Sequence, residues 1–233
     1  MKILAIDAAT EACSVALYLD GEVTSKFELA PQQHSQMLLP MVDQILADAG
    51  IALNQLDAIA YGQGPGSFTG VRIGVAITQG LAFAADLPVI GISSMAAMAQ
   101  QVMAQHKATG DNFEQVAHVL VAIDARMSEV YFGLYQNVEG LAQLVNTEGV
   151  CAPQDLALDA LPDLFSAGTG WQTYQQILTE KYLVNSTEVH LPSAEFMLPL
   201  AVAQYKAGHI VSAERAQPNY VRDEVSWKKL PGR

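Results

Sequence analysis

Tyr61-Gly62-Gln63-Gly64-Pro65-Gly66-Ser67-Phe68-Thr69-Gly70-Val71-Arg72-Ile73-Gly74 holds five glycines and one proline. Glycine reaches positive φ at little cost, and proline fixes φ while removing a donor, so this backbone goes where ordinary side chains would obstruct it. Upstream, Leu56 to Tyr61 reads as a buried strand; downstream, Thr69 to Ala85 reads as a helix with almost no charge. The stretch is therefore a strand–tight loop–helix joint, with Ser67 or Thr69 placed to cap the helix. Two readings compete. The free N–H groups and the positive dipole end of the helix can cradle an anion or phosphate. Alternatively, the glycines let the helix pack very closely on a neighbour. The pattern is neither G-x-x-x-x-G-K-[ST] nor a clean G-x-G-x-x-G, and spacing alone favours the structural joint.

The surrounding chain is rich in apolar residues and poor in charge. Of 233 residues, 51% are hydrophobic and 15% charged, against about 25% charged in ordinary globular chains. Such a composition calls for a large core, an apolar partner surface, or both. The net charge of −12 argues against direct, strong binding of a phosphate backbone, which needs clustered Lys and Arg. The one basic cluster, Lys228-Lys229 with Arg233, sits in the tail. Asp7 interrupts the opening apolar run too early for a signal peptide, and residues 87–105 are too broken by Pro88, Gly91 and polar residues for a membrane span. Cys13 and Cys151 form no CxxC and no disulfide framework, which points to a reducing cytoplasm.

Taken in order, Met1 to Asp7 reads as a strand, Ala12 to Leu19 as its return, and Glu22 to Leu29 as a third strand after the hairpin signal Asp20-Gly21. Ser35 to Ala49 has apolar residues at helical spacing and Gly50 as a stop. A short strand over 87–92 leads to a Met-rich helix capped by Ser93 or Ser94, and 108–114 is the best linker. The opening then returns. Ala122-Ile123-Asp124-Ala125 repeats Ala5-Ile6-Asp7-Ala8 at an offset of 117 residues, and at that offset Leu134-Tyr135 repeats Leu17-Tyr18. A glycine turn over 166–170, a helix over 171–182 and a helix from Ser193 toward Ala207 follow.

Two copies of strand, turn, returning hairpin and helix suggest an α/β, actin-like and Hsp70-like duplicated fold: mixed sheets flanked by helices, in two lobes. The lobes divide as 1–107 and 108–208, with the tail from about 209 to 233 returning to the first. In proteins of that plan the first hairpins approach nucleotide phosphates, and a carboxylate positions Mg²⁺ or water. Asp7, Thr10 and Asp124 are the corresponding candidates. Each Asp has a plainer reading, a strand-end carboxylate that accepts hydrogen bonds from its own turn.

Several of these residues resemble the TsaB (YeaZ) family: Ile3 to Asp7, Gly64 to Gly74, Ile123-Asp124-Ala125-Arg126 with Glu129-Val130-Tyr131, and Pro218-Asn219-Tyr220-Val221-Arg222. The matches run in order over nearly the whole chain. Departures are mild: Ala8 stands where threonine is usual, Val71 where leucine is usual, and Ser128 where glycine is usual. The resemblance implies an actin-like fold and a non-catalytic role in placing a threonylcarbamoyl group on the adenosine 3′ of the anticodon, in tRNAs reading ANN codons. It implies pairing with the paralogous transferase TsaD and with the ATPase TsaE, while TsaC supplies threonylcarbamoyl-adenylate. Contact with tRNA is expected only through the complex, and no membrane contact is expected.

The family's catalytic paralogue carries a His-x-x-x-His metal pair on the helix after the corresponding strand. Here those positions hold Ser94 and Met98, and histidines 34, 106, 118, 190 and 209 are scattered. Ser67 has no recognisable Ser-His-Asp setting. No catalytic residue and no metal ligand is therefore assigned. No cofactor is expected to bind tightly, with ATP or ADP at the cleft or at a complex interface as the open case. Function is expected in a surface: Leu38, Met41, Val42 and Ile45 on one helix, with Gly70, Gly74, Ile77, Thr78 and Leu81 on the next, as a four-helix interface with TsaD or with a second copy. The plainer reading is that both stripes are internal core. The competing function is a small ATPase or kinase working in the inter-lobe cleft.

Overall fold

A computed structural model describes residues 1–108 and 118–222. The linker expected over 108–114 lies almost wholly outside these residues, as does the basic tail. The first sheet contains β1 (Lys2–Asp7), β2 (Ala12–Leu19), β3 (Glu22–Leu29), β4 (Ala58–Gly64) and β5 (Val89–Ser93), in the order β3-β2-β1-β4-β5. The meander is antiparallel, and β4 and β5 run parallel to β1. Asp20 and Gly21 both take positive φ, 50° and 108°, the two-residue turn whose twist suits a hairpin. Alternation along β1 then sorts the core. Leu4 and Ile6 face α1 (His34–Asp48) and α2 (Phe68–Ala85); Ile3 and Ala5 face the opposite side.

The second sheet repeats the plan with β6 (His118–Asp124), β7 (Val130–Val138), β8 (Leu141–Leu144), β9 (Gly149–Cys151) and β10 (Leu164–Ala167). Its order is β10-β6-β7-β8, with β9 also paired to β7. As β1 lies between antiparallel β2 and parallel β4, so β6 lies between antiparallel β7 and parallel β10. The helix expected over 171–182 is two short pieces, α4 (Gly170–Thr173) and α5 (Gln175–Lys181). They cover the outer face of this sheet through Trp171 and Leu178.

Between the sheets lies the largest core. Ile3, Ala5, Ile90 and Ile92 from the first sheet meet Val119, Val121, Ile123 and Tyr135 from the second. Two helices fill the space, α3 (Ser94–Ala108) and α6 (Ala194–Lys206). Side chains as deeply buried as Ile90, Met95 and Met98 each contribute about 1.5–3 kcal/mol by leaving water. Helix α6 belongs by sequence to the 108–208 segment, yet it packs along β1, β2, β4 and β5. Ser14 Oγ accepts from its first N–H, on Ala194, at 2.9 Å. The division at 107/108 therefore does not separate the packing. Residues after 208 also lie on the first sheet, where Val211 bridges Val89.

The repeat differs from its sequence reading in one respect. Leu4 is paired with Leu17, and Leu120 with Leu134, so the counterpart of Leu4 is Leu120, one residue short of the 117 offset. The cause is a hairpin longer by one residue: Leu17 follows Leu4 by 13 positions, but Leu134 follows Leu120 by 14, so Ile123, paired with Tyr131, takes the place of Asp7, paired with Ser14. Leu17 and Leu134 both face outer helices, and Tyr18 and Tyr135 both face the shared core, so that dipeptide match is structural. The match of Asp7 with Asp124 is not. Asp7 alternates with Ile3 and Ala5, which face the shared core; Asp124 alternates with Leu120 and Ala122, which face outward.

Candidate functional site

A cleft of about 870 Å³ opens at the carboxyl ends of β1 and β6. Thr10 lines it from the first half, Asp124 and Thr169 from the second, and Ser67 at the start of α2 from above. Ser67 caps α2, accepting the Gly70 N–H at 3.3 Å. Its own N–H is spent on the Ala9 carbonyl at 2.7 Å. A Cβ on Gly66 would stand 2.1 Å from that same oxygen, and one on Gly70 would stand 2.1 Å from Ala8 O. The glycines thus let α2 close directly onto the β1–β2 turn. Of the two readings of this loop, the close-packed joint is the one observed. The second half repeats the device, with Gly168 against Ala122 O.

That joint seals Asp7 beneath it. Its side chain is 1% exposed; Oδ1 accepts from Ala9 N at 3.1 Å, and Oδ2 has no partner. Burial raises its pKa to about 7, opposed only by the Ala9 hydrogen bond. Asp124 is differently placed. Oδ1 accepts from Arg126 N at 3.0 Å and from the Tyr174 hydroxyl at 3.3 Å, and Oδ2 meets the Arg126 guanidinium at 3.2 Å. Both carboxylates accept from their own turn two residues on, the plainer of their two readings. Thr10 is buried as well: Oγ1 accepts from Ala12 N at 3.4 Å, and its carbonyl accepts from His34 Nε2 at 2.6 Å.

Asp7, Thr10 and Asp124 do not converge. Two line the cleft from opposite sides, and the third lies under a closed backbone joint. Asp7, sealed under the joint, does not fit as a nucleotide–Mg²⁺ carboxylate, which must be open to the phosphates; Asp124 lines the cleft with both oxygens engaged by Arg126 and Tyr174. Ser94 and Met98, at the paralogue's metal positions, are both fully buried in the shared core. Among the described residues no three His, Cys, Asp or Glu side chains group in a way that could hold a metal ion.

The expected interface residues need correction. Leu38, Met41, Val42 and Ile45 are buried against the chain's own first sheet, so they are core. Gly70, Gly74 and Thr78 are buried on the inner face of α2, with Gly70 and Gly74 against Ala8. Ile77 and Leu81 are half-buried at the rim of that core. The outward face of α2 carries Ala76, Gly80, Phe83 and Ala84 instead, and Phe83 is 75% exposed. The helix is 18 residues long and, by length and composition alone, apolar enough to cross a membrane, yet only a third of it is buried. Ala76, Gly80 and Ala84 stand in four-residue register just as Gly70, Gly74 and Thr78 do, and periodicity could not tell which of these stripes meets the sheet.

A repeated half-sheet plan around a shared core, with a cleft at the ends of the two first strands, defines an actin-like fold. The family model described as "TsaD: tRNA N6-adenosine threonylcarbamoyltransferase" matches residues 26–229. The Escherichia coli "tRNA threonylcarbamoyladenosine biosynthesis protein TsaB" is 48% identical, with 100% of each chain covered. The Haemophilus influenzae protein of the same name is 47% identical, covering 100% of this chain and 98% of that one. A solved structure, "YeaZ from Pseudomonas aeruginosa", is 43% identical with a TM-score of 0.83, covering 94% of this chain and 99% of that one. The chain belongs to the TsaB (YeaZ) family of tRNA threonylcarbamoyladenosine biosynthesis proteins.

Proposed function

We propose that this chain is a non-catalytic subunit that activates threonylcarbamoylation of the adenosine 3′ of the anticodon by pairing with TsaD and helping to recruit TsaE. The observation that carries the reading is the outward face of α2. Gly80 sits mid-helix with nothing within 4 Å of where its Cβ would be. Mid-helix glycine costs about 1 kcal/mol relative to alanine, and no neighbour among the described residues explains it. Ala76, Gly80 and Ala84 at four-residue spacing, with Phe83 beside them, suit the close approach of a second helix.

TsaD as partner is supported by the family model, which describes a transferase and matches most of this chain. Two chains of one fold present the same helices, and a pseudo-twofold pairing sets α2 of one against the equivalent helix of the other. The same face accounts for a homodimer when TsaD is absent. The sealed position of Asp7 and the turn-bound Asp124 support a subunit that binds no nucleotide tightly by itself. The net charge of −12 supports contact with tRNA only through the complex.

Copurification tests the pairing. Gly80→Arg and Phe83→Asp, each on the solvent side of α2, are expected to abolish capture of TsaD while the subunit still unfolds cooperatively. Capture at the parent level by both folded variants contradicts the assignment.

A further inference from the structure

The Pro218-Asn219-Tyr220-Val221-Arg222 motif has no part in the pairing surface, yet it is bonded to both halves of the molecule. On the first-sheet side, Gln217 N donates to the Tyr61 hydroxyl at 3.1 Å, and Asn219 N donates to the Gln63 carbonyl at 2.7 Å. Arg72 Nε of α2 donates to the Tyr220 hydroxyl at 3.0 Å. On the second-sheet side, Asn219 Nδ2 donates to Glu148 Oε2 at 3.2 Å. Arg222 donates to the Ala125 carbonyl at 3.2 Å and to the Glu129 carboxylate. Asn219 alone therefore splits its donors between the halves.

Two further features converge on this segment. Glu148 is itself a bridge, because Oε1 accepts from Ser93 at the end of β5 and from Tyr135 of β7. The turn gripped by Arg222 holds Arg126, Met127 and Ser128 at φ of 61°, 54° and 60°. L-residues avoid a left-handed run of that kind, and it persists only where the surroundings over-determine it. The segment is also the common wall of the main cleft and of a second cavity of about 540 Å³ beside Gln63, Ser93, Tyr135 and Glu148. In that second cavity Ser93, Tyr135 and Asn219 all converge on Glu148, which makes it a seam between the halves.

We propose that residues 217–222 are a cross-lobe staple that fixes the angle between the two sheets and keeps the cleft from opening and closing. Two-lobed proteins move by hinge or shear unless a large apolar interface or a tied seam holds them; here the shared core joins the sheets along their length, and this segment ties them at the cleft end. Here the ties are charge-assisted: an amide on the Glu148 carboxylate, and a guanidinium on the Glu129 carboxylate. The Arg222 side chain is 16% exposed and that of Glu129 36%, so the guanidinium end of the pair is the shielded one and solvent reaches the carboxylate.

The test is a distance distribution by pulsed electron paramagnetic resonance. Nitroxides are placed at Thr24→Cys on β3 and Gln176→Cys on α5, both exposed, in a Cys151→Ser background; Cys13 is buried and unreactive. The parent is expected to give one narrow distribution, and Asn219→Ala with Arg222→Ala one about twofold broader or more. A double variant that melts cooperatively and keeps the parent's width overturns the proposal. If the double variant fails to melt cooperatively, Asn219→Ala alone decides: broadening supports the staple, and an unchanged width overturns it.

Discussion

Asp7 and Asp124 end the first strands of the two halves and share the sequence Ala-Ile-Asp-Ala, yet they stand on opposite faces of their sheets. One is sealed with an unpartnered oxygen, and the other is bound to its own turn beside the cleft. One extra residue in the second hairpin is enough to cause this, because it sets Asp124 one position further along its strand and side chains alternate every residue.

The sealed carboxyl makes stability depend on pH. The folded pKa of Asp7 is raised to about 7 from an ordinary 3.8. The folded state therefore holds a proton that the unfolded state releases, and stability falls as pH rises from about 4 to about 7, levelling off above. Asp7→Asn keeps the acceptor for Ala9 and removes the charge. Urea unfolding should show this variant equal to the parent near pH 4 and more stable at pH 8 by a few kcal/mol. Parallel pH profiles for the two proteins would contradict the buried, unpaired assignment.

The glycines of the loop and the glycine of the outer face should respond in opposite directions. Gly66→Ala and Gly70→Ala drive a Cβ to within 2.1 Å of a backbone oxygen, and each should cost about 1–3 kcal/mol in denaturant unfolding. Gly80→Ala meets open space and should stabilise the isolated subunit by up to about 1 kcal/mol. A stabilised Gly66 variant would mean that the joint is looser than described.

Core and surface on the helices separate in the same way. Leu38→Asp and Ile45→Asp bury a charge against the first sheet and should abolish cooperative unfolding. Gly80→Arg should keep cooperative unfolding, with a midpoint no lower than the parent's, while removing TsaD from the copurified material. Were Leu38→Asp to fold normally and lose only its partner, α1 would present the face first expected from its sequence.

Calorimetry with ATP and Mg²⁺ on the isolated protein addresses the cleft. No binding in the micromolar range is expected, because Asp7 is closed off by the contact of Ser67 with Ala9. Micromolar binding that is lost in Asp124→Ala would restore the ATPase or kinase reading.

Much of this architecture was legible in the sequence because it is local. The Asp20-Gly21 hairpin, the two strands that it joins, and the glycine joint are written in residues that adopt those conformations for their own reasons. The duplicated plan was legible as well, although its register was not, since nothing in Ala122 to Ala125 signals a longer turn. Which stripe of α1 or α2 meets the sheet depends on contacts far along the chain, and apolar residues at helical spacing look alike inside and out. The 217–222 segment carries a recognisable motif, but its partners Gln63, Glu148 and Glu129 are unremarkable until the fold gathers them.

The central claim is that this chain presents a surface while another chain does the chemistry. Reconstituted tRNA modification with TsaC, TsaD and TsaE, with and without this subunit, tests it most directly. Modification should require the subunit, survive Asp7→Ala combined with Asp124→Ala, and fail with Gly80→Arg. Full activity with Gly80→Arg, or loss of activity in a folded Asp7→Ala, Asp124→Ala protein that still pairs with TsaD, would contradict it.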